Sequence, residues 1–452
     1  MNSFIKNIEN KLQIKSNYLL LLAIFNGAIL MNFHKLIFLN PLALFVIIGF
    51  VLISIINIKY WWATIVNSII SIYFLIDKFP RIGNHSTIIL FFSLFLLVVF
   101  TLKLSSKKPI FNTNFISYFF RTITVTIYFY SGFHKLNTDF FNSCVSCVNE
   151  VNVYALSNFI NERFVLPEFW SRFFQYGTLF IELILPFGLL HFKTRKIAGF
   201  LLLCFHCYLS LSGFADFSCV GLFLILGCLV NFEEKTISKN NLKAVKLFLI
   251  FIIFAIIIRY YLPTFGIDNY KNTFIEGFIF DIGFVIFIYT FFKSYSAKEY
   301  TYTKKFNTYL IPIFVIINLW TLKGYFGLGN AGNLTMFSNL VTEKSTNNHL
   351  LFDTKKTKLF DFEEDYVEII YLKNKNIRED FNGYKLPLVE FNFLVNYWNK
   401  TYTDKVPCKL IYKGKIFETN DIRTSEFNQT KWWYKYLSFR KIQSKGPNEC
   451  RW

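Results

Sequence analysis

The chain has 452 residues, of which 54% are hydrophobic and 58 are phenylalanine, and its mean hydropathy is +0.38. This composition excludes an ordinary soluble domain for most of the chain and indicates a polytopic helical membrane protein. The formal net charge is +19, yet no segment resembles a nucleic-acid-binding module. We therefore expect the lipid bilayer, and not nucleic acid, to be the partner of the basic loops.

Apolar stretches of 16 to 22 residues alternate with short charged loops along most of the chain. Such stretches are typical of membrane-spanning helices. The sequence predicts an all-α bundle of about 11 spans, at 17–33, 37–58, 61–77, 87–104, 116–134, 173–191, 196–212, 215–231, 244–262, 274–292 and 308–322. The stretch 139–172 is too polar to span, and we expect it to be a loop that lies in the interface or re-enters it.

Lysine and arginine are more frequent in one set of alternating loops than in the other. The excess predicts that the N-terminus lies inside and that the C-terminal tail lies outside the cell membrane. The first apolar run has no small-residue cleavage site behind it, which favours a signal anchor.

A shift in composition after residue 322 predicts two domains, a membrane domain at 1–322 and an extracytoplasmic domain at 323–452. The tail is long enough to fold as a small α+β unit. Residues 367–372 have the pattern of a strand, and 410–417 that of a hairpin with Lys413 and Gly414 at its turn. Residues 389–398 and 431–442 have helical spacing of large apolar groups.

Ionisable residues inside predicted spans are costly and therefore indicate a polar interior. Glu182 lies mid-span, four residues before Pro186, which interrupts helical hydrogen bonding. We expect Glu182 to pair with Arg121 or with another cation, either as a structural ion pair or as part of a binding site.

Lys135 ends a predicted span, and His206 is in the outer half of another one. We expect the two residues to share an outward-opening cavity, in which a desolvated lysine can act as a base. Alternatively, Lys135 only anchors the end of its helix by reaching to the membrane surface.

Some cysteines lie in predicted membrane spans, and others lie in segments predicted to be outside the membrane. Cys144, Cys147, Cys408 and Cys450 fall in predicted outer segments, where an oxidising environment favours two disulfides whose pairing the sequence does not fix. The Cys144–Cys147 spacing suits either a structural bond or an exchangeable redox pair. No metal site is expected, because ligand spacing is absent.

The segment 132–140 reads Gly-Phe-His-Lys-Leu-Asn-Thr-Asp-Phe. It resembles the Gly-x-x-Lys-Leu-x-x-Asp-aromatic segment of vitamin K-dependent gamma-carboxylases and of the wider horizontally transferred transmembrane (HTTM) family of mostly bacterial proteins. Similar stretches recur in the same order at 182–190, 194–199, 205–207, 336–343 and 348–350.

The resemblance implies that Lys135 is the base that deprotonates a vitamin K-like hydroquinone and that His206 belongs to the quinone-binding region. His134 replaces the lysine that precedes the base in the family. We expect His134, Glu182 and Arg121 to contribute to cofactor binding. The carboxylases have a much longer lumenal portion, so full gamma-carboxylation of a protein substrate does not follow.

Three functions therefore remain open. The first is a carboxylase-like membrane enzyme that acts on a quinol or another lipid-soluble substrate. The second is a non-catalytic membrane subunit for the maturation, export or immunity of a secreted peptide. A transporter is the third, although no pair of Gly/Pro-interrupted helices in corresponding halves supports it.

Overall fold

The computed structural model describes residues 16–38, 40–78, 82–105, 113–160, 165–232, 237–265, 269–296, 299, 307–343, 346–375, 377 and 380–450. The described chain is mostly helical and ends in a small antiparallel sheet. The basic N-terminal segment 1–15, which the orientation prediction uses, lies outside the described residues.

Most helices before the sheet follow the apolar stretches of the sequence. Asn40 caps the second helix by accepting a hydrogen bond from the Ala43 amide at 3.1 Å, and Pro41 begins it. In chain order the helices are α1 Ser16–Phe33, α2 Pro41–Ile56, α3 Trp62–Lys78, α4 Asn84–Ser105, α5 Thr113–Phe133, α6 Cys147–Ile160, α7 Glu168–Leu179, α8 Phe192–Leu209, α9 Ala215–Leu229, α10 Lys239–Tyr261, α11 Asn269–Ser294 and α12 Asn307–Leu322.

Within the described residues, six helical segments are long and apolar enough to cross a membrane. This indicates a multi-pass membrane protein, which confirms the coarser part of the prediction. A helical segment coincides with each of the predicted ranges, but not every one meets the length and hydropathy of a span. The six segments are Asn17–Leu36, Asn84–Leu102, Phe192–Leu229, Lys239–Thr264, Asn272–Ser294 and Thr308–Phe326.

The 38-residue segment Phe192–Leu229 folds back on itself between α8 and α9. Gly213 has a φ of 87°, a left-handed conformation that glycine adopts without steric cost. Gly199 faces Leu229, and Gly221 faces His206. Each glycine lets the partner helix approach closely, so that α8 and α9 form an antiparallel hairpin.

The prediction of a loop at 139–172 is wrong in part. Residues Cys147–Ile160 form α6, and α7 begins at Glu168, within the stretch predicted to be loop. Helix α6 is short and carries several polar side chains, which is why its hydropathy gives no sign of a helix. Asn149 and Asn152 are buried in contacts with Ser171 and Tyr208.

The tail contains a five-stranded antiparallel sheet in the order β4-β3-β1-β2-β5, with α14 beside it. The predicted strand, hairpin and first helix are confirmed, with Lys413 and Gly414 at the hairpin turn. The predicted helix at 431–442 is wrong, because this stretch holds only a short 3₁₀ turn and a strand. The elements are α13 Thr354–Thr357, β1 Tyr366–Leu372, β2 Tyr384–Pro387, α14 Leu388–Thr401, β3 Cys408–Tyr412, β4 Lys415–Thr419 and β5 Ile442–Gln443.

The helical part and the sheet each have a separate hydrophobic cluster. Leu334 and Met336, from the segment after α12, belong to the cluster of the helical part. The segment that follows the predicted boundary at 322 therefore packs against the helices and contributes to the site described next.

Candidate functional site

Lys135 lies just beyond the end of α5, where its amide donates to the carbonyl of Gly132 at 3.0 Å. A Cβ atom on Gly132 would lie 2.7 Å from Leu183 and 3.0 Å from Glu182. A glycine is therefore required where the end of α5 meets the segment that carries Glu182.

The amine of Lys135 is fully enclosed, with 1% of the residue exposed. Its Nζ lies 2.7 Å from Oε2 of Glu182 and donates to the carbonyl of Met336 at 2.7 Å. Ser131 offers its carbonyl at 3.3 Å and its hydroxyl at 3.2 Å. These acceptors use all the hydrogens of the ammonium group, which excludes the alternative that Lys135 only reaches to the membrane surface.

Glu182 lies in a π-helical turn, Phe180–Ile184, that follows α7 and precedes the 3₁₀ turn Leu185–Leu189. Pro186 has no amide hydrogen to donate to the carbonyl of residue 182, which explains the local departure from α-helix. Turns of this kind are often found at functional sites. The sequence predicts a cationic partner for Glu182, and the structure identifies that cation as Lys135 and not Arg121.

Three donors of the segment 134–137 bind three alternate carbonyls of the segment 334–338. The pairs are His134 Nδ1 with the carbonyl of Leu334 at 3.1 Å, Lys135 Nζ with that of Met336 at 2.7 Å, and the side-chain amide of Asn137 with that of Ser338. We call this pairing of segments the clasp. It joins two stretches that are about 200 residues apart in sequence.

The clasp requires unusual backbone conformations in its second segment. Leu334, Phe337 and Asn339 have φ values of 64°, 49° and 53°, which non-glycine residues adopt rarely and at a cost. Such strain persists where surrounding contacts impose it and is concentrated at functional sites. Sequence reasoning does not find this feature, because it gives no signal in residue type.

Asn137, which the sequence does not single out, connects the clasp to the tail, because the side-chain amide of Asn348 donates to its side-chain oxygen at 3.4 Å. Its side-chain oxygen accepts from the amide of Phe140 at 2.8 Å, and it is completely buried. Asn348 donates to Asp139 at 3.0 Å, and the amide of Asn448 donates to the same Asp139 oxygen at 3.2 Å. The polar residues of this turn are the feature of the sequence that could have indicated these contacts.

His206 is completely buried on α8, where its Nε2 hydrogen-bonds with the hydroxyl of Tyr128. Tyr128, Ser131 and Lys135 have the spacing that places side chains on one face of α5. His206 therefore reaches the polar stripe at Tyr128, which lies about 10 Å from Lys135 along the helix, two turns away. The structure does not bring the imidazole into contact with the amine.

The other two predicted cofactor-binding residues lie apart from one another. His134 is completely buried in the clasp. Arg121 lies below the ring of Tyr118 on α5, at 5.5 Å from its centroid, and about 21 Å from Lys135 along the helix axis. Of the two partners expected for Glu182, Arg121 is therefore not the one in the structure, because it lies near the middle of α5 whereas Glu182 packs against the C-terminal end of this helix.

The structure contains a disulfide between Cys147 and Cys450. Cys144 is exposed and free, and Cys408 is buried and free. The expectations of two outer bridges and of a Cys144–Cys147 pair are therefore wrong. Burial among the strands raises the pKa of Cys408 to about 12, which keeps this thiol protonated and unreactive.

An apolar cavity of about 180 Å³ opens between α4, α5 and α12. Ile127, Trp320 and Leu334 contribute to its wall. Leu334 is also the residue whose carbonyl accepts from His134 in the clasp. Neither Lys135 nor His206 is among its described lining residues, so this is not the cavity that the two residues were expected to share. Its predominantly apolar wall suits a lipid-soluble molecule.

Comparisons of this chain with models of protein families, with curated protein sequences and with solved structures find no match. Within the described part of the chain, no group of three or more His, Cys, Asp or Glu residues is placed to hold a metal ion. The site is thus defined by its own geometry.

Proposed function

We propose that this protein is an integral membrane enzyme of the carboxylase-like class, in which Lys135 removes a proton from a lipid-soluble, quinol-like substrate. The observation that carries the proposal is the enclosed Lys135–Glu182 pair, with its amine held 2.7 Å from both the carboxylate and the Met336 carbonyl. The sequence resemblance at 132–140 supports the same role for Lys135.

The pair suits proton transfer because the opposite charges of a buried ion pair offset much of the cost of burying each one. The ionised and the neutral form of the pair therefore differ less in free energy than the charged and the neutral form of one isolated buried group do. Movement of one proton from the Lys135 ammonium to the Glu182 carboxylate leaves a neutral amine and a neutral acid. The amine then takes the proton of a substrate hydroxyl, while Glu182 keeps the first proton. A bound hydroquinone would supply that hydroxyl.

The surroundings of the pair support an apolar substrate. The cavity beside Leu334 has an apolar wall, and His134 and His206 each place an imidazole along α5. We expect His134 to orient a substrate oxygen and His206 to hold Tyr128 in place. Because four acceptors surround the amine, substrate binding must displace at least one of them, and Ser131 is the most weakly bound.

We further propose eleven membrane crossings, with the N-terminus inside and the tail outside the cell membrane. The Cys147–Cys450 bond supports an outer position for both cysteines, since disulfides persist in oxidising compartments. In intact cells, a membrane-impermeant maleimide should label Cys144, which is exposed and free. Labelling only after permeabilisation would contradict this orientation.

The test of the enzymatic proposal is Lys135→Met in the purified, membrane-reconstituted protein. The matched control is Lys323→Met, since Lys323 is also buried but contacts Trp320 and not Glu182. We expect only the Lys135 variant to lose the deprotonation of added hydroquinone, followed by the absorbance of the hydroquinone anion, and the rise in melting temperature that a quinone causes. Equal behaviour of both variants would remove Lys135 from the mechanism.

A second candidate is a non-catalytic subunit that matures, exports or gives immunity to a secreted peptide. It is favoured by the tail, which is attached to the helical part by the disulfide and by the contacts of Asp139 with Asn348 and Asn448. An outer unit held in place in this way is suited to docking of a secreted peptide. A photo-crosslinker on Cys144 should then capture one defined peptide, and wild-type quinol activity would argue against this role.

A further inference from the structure

A second cavity, of about 430 Å³, lies outside the polar stripe between the helical part and the tail. We call it the tail cavity. Its wall comes from four parts of the described chain. They are Thr138–Asp139 after α5, residue 343 with residues 346–348, the residues that lead into β1 together with β2, and β5 with the residues that follow it. The proposed base Lys135 does not line it.

Negative charge predominates around the tail cavity. Among the described residues, its walls carry Asp139, Glu343, Glu363 and Glu364, and Lys385 is the one lysine that lines it. The ammonium of Lys385 lies 4.8 Å from the centroid of the Tyr366 ring, at the edge of the cavity. One further cation, Lys358, contacts Glu363 and lies 3.5 Å from Glu364.

Among the described residues, Glu343 forms no ion pair with either lysine, although the charge of Lys358 partly offsets the repulsion from Glu363. Only 6% of the residue is exposed, and its Oε1 accepts from the side-chain amide of Asn330 at 3.2 Å. Its Oε2 is buried without a hydrogen-bond partner among the described residues, and so is the hydroxyl of Ser444 on another wall of the same cavity. Unsatisfied buried polar atoms are rare and costly, and each requires an explanation.

The acceptor atoms of Glu343 and Ser444 indicate which chemical group would bind in the tail cavity. The carboxylates do not form a metal-binding group within the described residues, so a compact divalent ion is not favoured. A primary ammonium has three donors and a single charge, and it matches one free carboxylate oxygen and one hydroxyl. A hydrogen bond between ionised groups is stronger than one between neutral groups.

We propose that the tail cavity binds a primary ammonium group, with Glu343 as its counter-ion and Ser444 as a second acceptor. The ammonium belongs either to a small amine or to a lysine side chain of a peptide. This site is independent of the proposed reaction at Lys135.

The experiment uses the full-length protein in lipid nanodiscs and isothermal titration with three probes. The probes are butylamine, Nα-acetyl-lysine amide and its Nε-acetylated analogue, which has the same backbone without the charge. We expect the two amines to bind and the Nε-acetylated analogue not to bind. Tighter binding of the lysine derivative than of butylamine would identify a peptide as the source. Equal binding of the charged and neutral derivatives, or binding of none of the probes, would overturn the proposal.

Two variants locate the bound amine. Glu343→Gln keeps the shape of the side chain and should weaken binding by about tenfold or more, as expected for a lost charged hydrogen bond. Ser444→Ala should weaken it by a smaller factor. Glu368→Gln on β1, which does not line the cavity, is the matched control. Wild-type affinity in Glu343→Gln, when its melting curve shows a folded protein, would overturn the assignment.

Measuring the protons released on binding distinguishes the effect of the charge of Glu343 from the effect of its shape. Burial and the neighbouring Glu363 raise the pKa of Glu343 to about 8, so a bound ammonium must displace a proton at neutral pH. Glu363, Glu364, Asp139, Lys358 and Lys385 face the same region and remain in the variant. We expect wild-type binding heats to depend on the ionisation enthalpy of the buffer, and this dependence to disappear in Glu343→Gln. Unchanged buffer dependence would contradict the role of Glu343.

Discussion

The ammonium of Lys135 and the carboxylate of Glu182 lie 2.7 Å apart, and both residues are almost completely excluded from solvent. They come from two segments that are distant in sequence and that meet only because Gly132 has no side chain. The pair therefore fixes the end of α5 against the π-helical turn, in addition to any chemistry that it performs.

Removal of one member of this pair should cost more stability than removal of both. Glu182→Gln leaves the Lys135 charge buried without a counter-ion, and such a change typically costs about 3–5 kcal/mol. In the double variant Lys135→Met/Glu182→Gln no charge remains, so much of that loss should be recovered. Melting temperatures in detergent, arranged as a double-mutant cycle, measure the difference. Additive losses would show that the two residues are not coupled.

Close packing of α8 on α9 should control the position of His206. A Cβ atom on Gly221 would clash with the imidazole ring and push it away from Tyr128. We expect Gly221→Ala to cost about 1–3 kcal/mol of stability, as overpacking does, and to lower activity.

The control for this change is Gly49→Ala in α2, where a Cβ atom would meet no other atom within 4 Å. Because alanine favours helix over glycine, this variant should be equally or more stable by up to about 1 kcal/mol. A similar melting temperature for both variants would show that α9 tolerates the extra methyl group and that His206 is not confined.

Local features of the fold could be predicted from the sequence, because hydropathy and turn chemistry are local properties. The helices coincide with the apolar stretches, and the Lys413–Gly414 turn was expected from its residue types. The helix predicted at 431–442 fails because Trp433 and Tyr434 are part of a cluster with Leu437 and Phe439 without forming a helix.

The sequence predicts individual residues of the candidate site but not which of them contact one another. Lys135 and Glu182 stand out as charges in apolar surroundings, but their pairing depends on which helices are neighbours. The carbonyl of Met336 that binds Lys135 comes from a residue 201 positions away, and every residue has a carbonyl. Residue type therefore gives no signal for the clasp, whose partners are set by the backbone conformation of residues 334–339.

The disulfide should contribute strongly to the attachment of the tail. It joins cysteines separated by 303 positions, and closing so long a loop is expected to stabilise the folded chain by up to about 5 kcal/mol in the chain-entropy account. We expect Cys450→Ser to lower the melting temperature and Cys144→Ser, which removes an exposed free thiol, to leave it unchanged.

Thiol counting checks the same bond. Of eight cysteines, two are bonded and six are free. The unfolded, unreduced protein should therefore take up six alkylating groups, and mass spectrometry should recover the Cys147 peptide linked to the Cys450 peptide. A linked Cys144–Cys147 peptide, or eight reactive thiols, would contradict the bond.

Glu343 should make the stability of the protein decrease as the pH rises. Burial, followed by repulsion from Glu363, raises its pKa from 4.5 to about 8, so the folded protein holds a proton that the unfolded chain releases above its ordinary pKa. The folded state therefore has its full stability below about pH 4.5 and loses this contribution between about pH 4.5 and pH 8.

Glu343→Gln cannot ionise, and its stability relative to the wild type should therefore rise with pH. Between about pH 5 and about pH 9 the difference in unfolding free energy should change by at least about 1.4 kcal/mol in favour of the variant, the equivalent of one pKa unit. Burial also raises the pKa of Glu363, which Lys358 partly compensates, and because Glu363 interacts with Glu343 the difference between the two proteins includes the change that the substitution makes in Glu363. Melting curves of both proteins across this range provide the measurement. Parallel curves would mean that Glu343 is ionised in the folded protein at neutral pH, and hence that its free carboxylate oxygen already has a cationic partner.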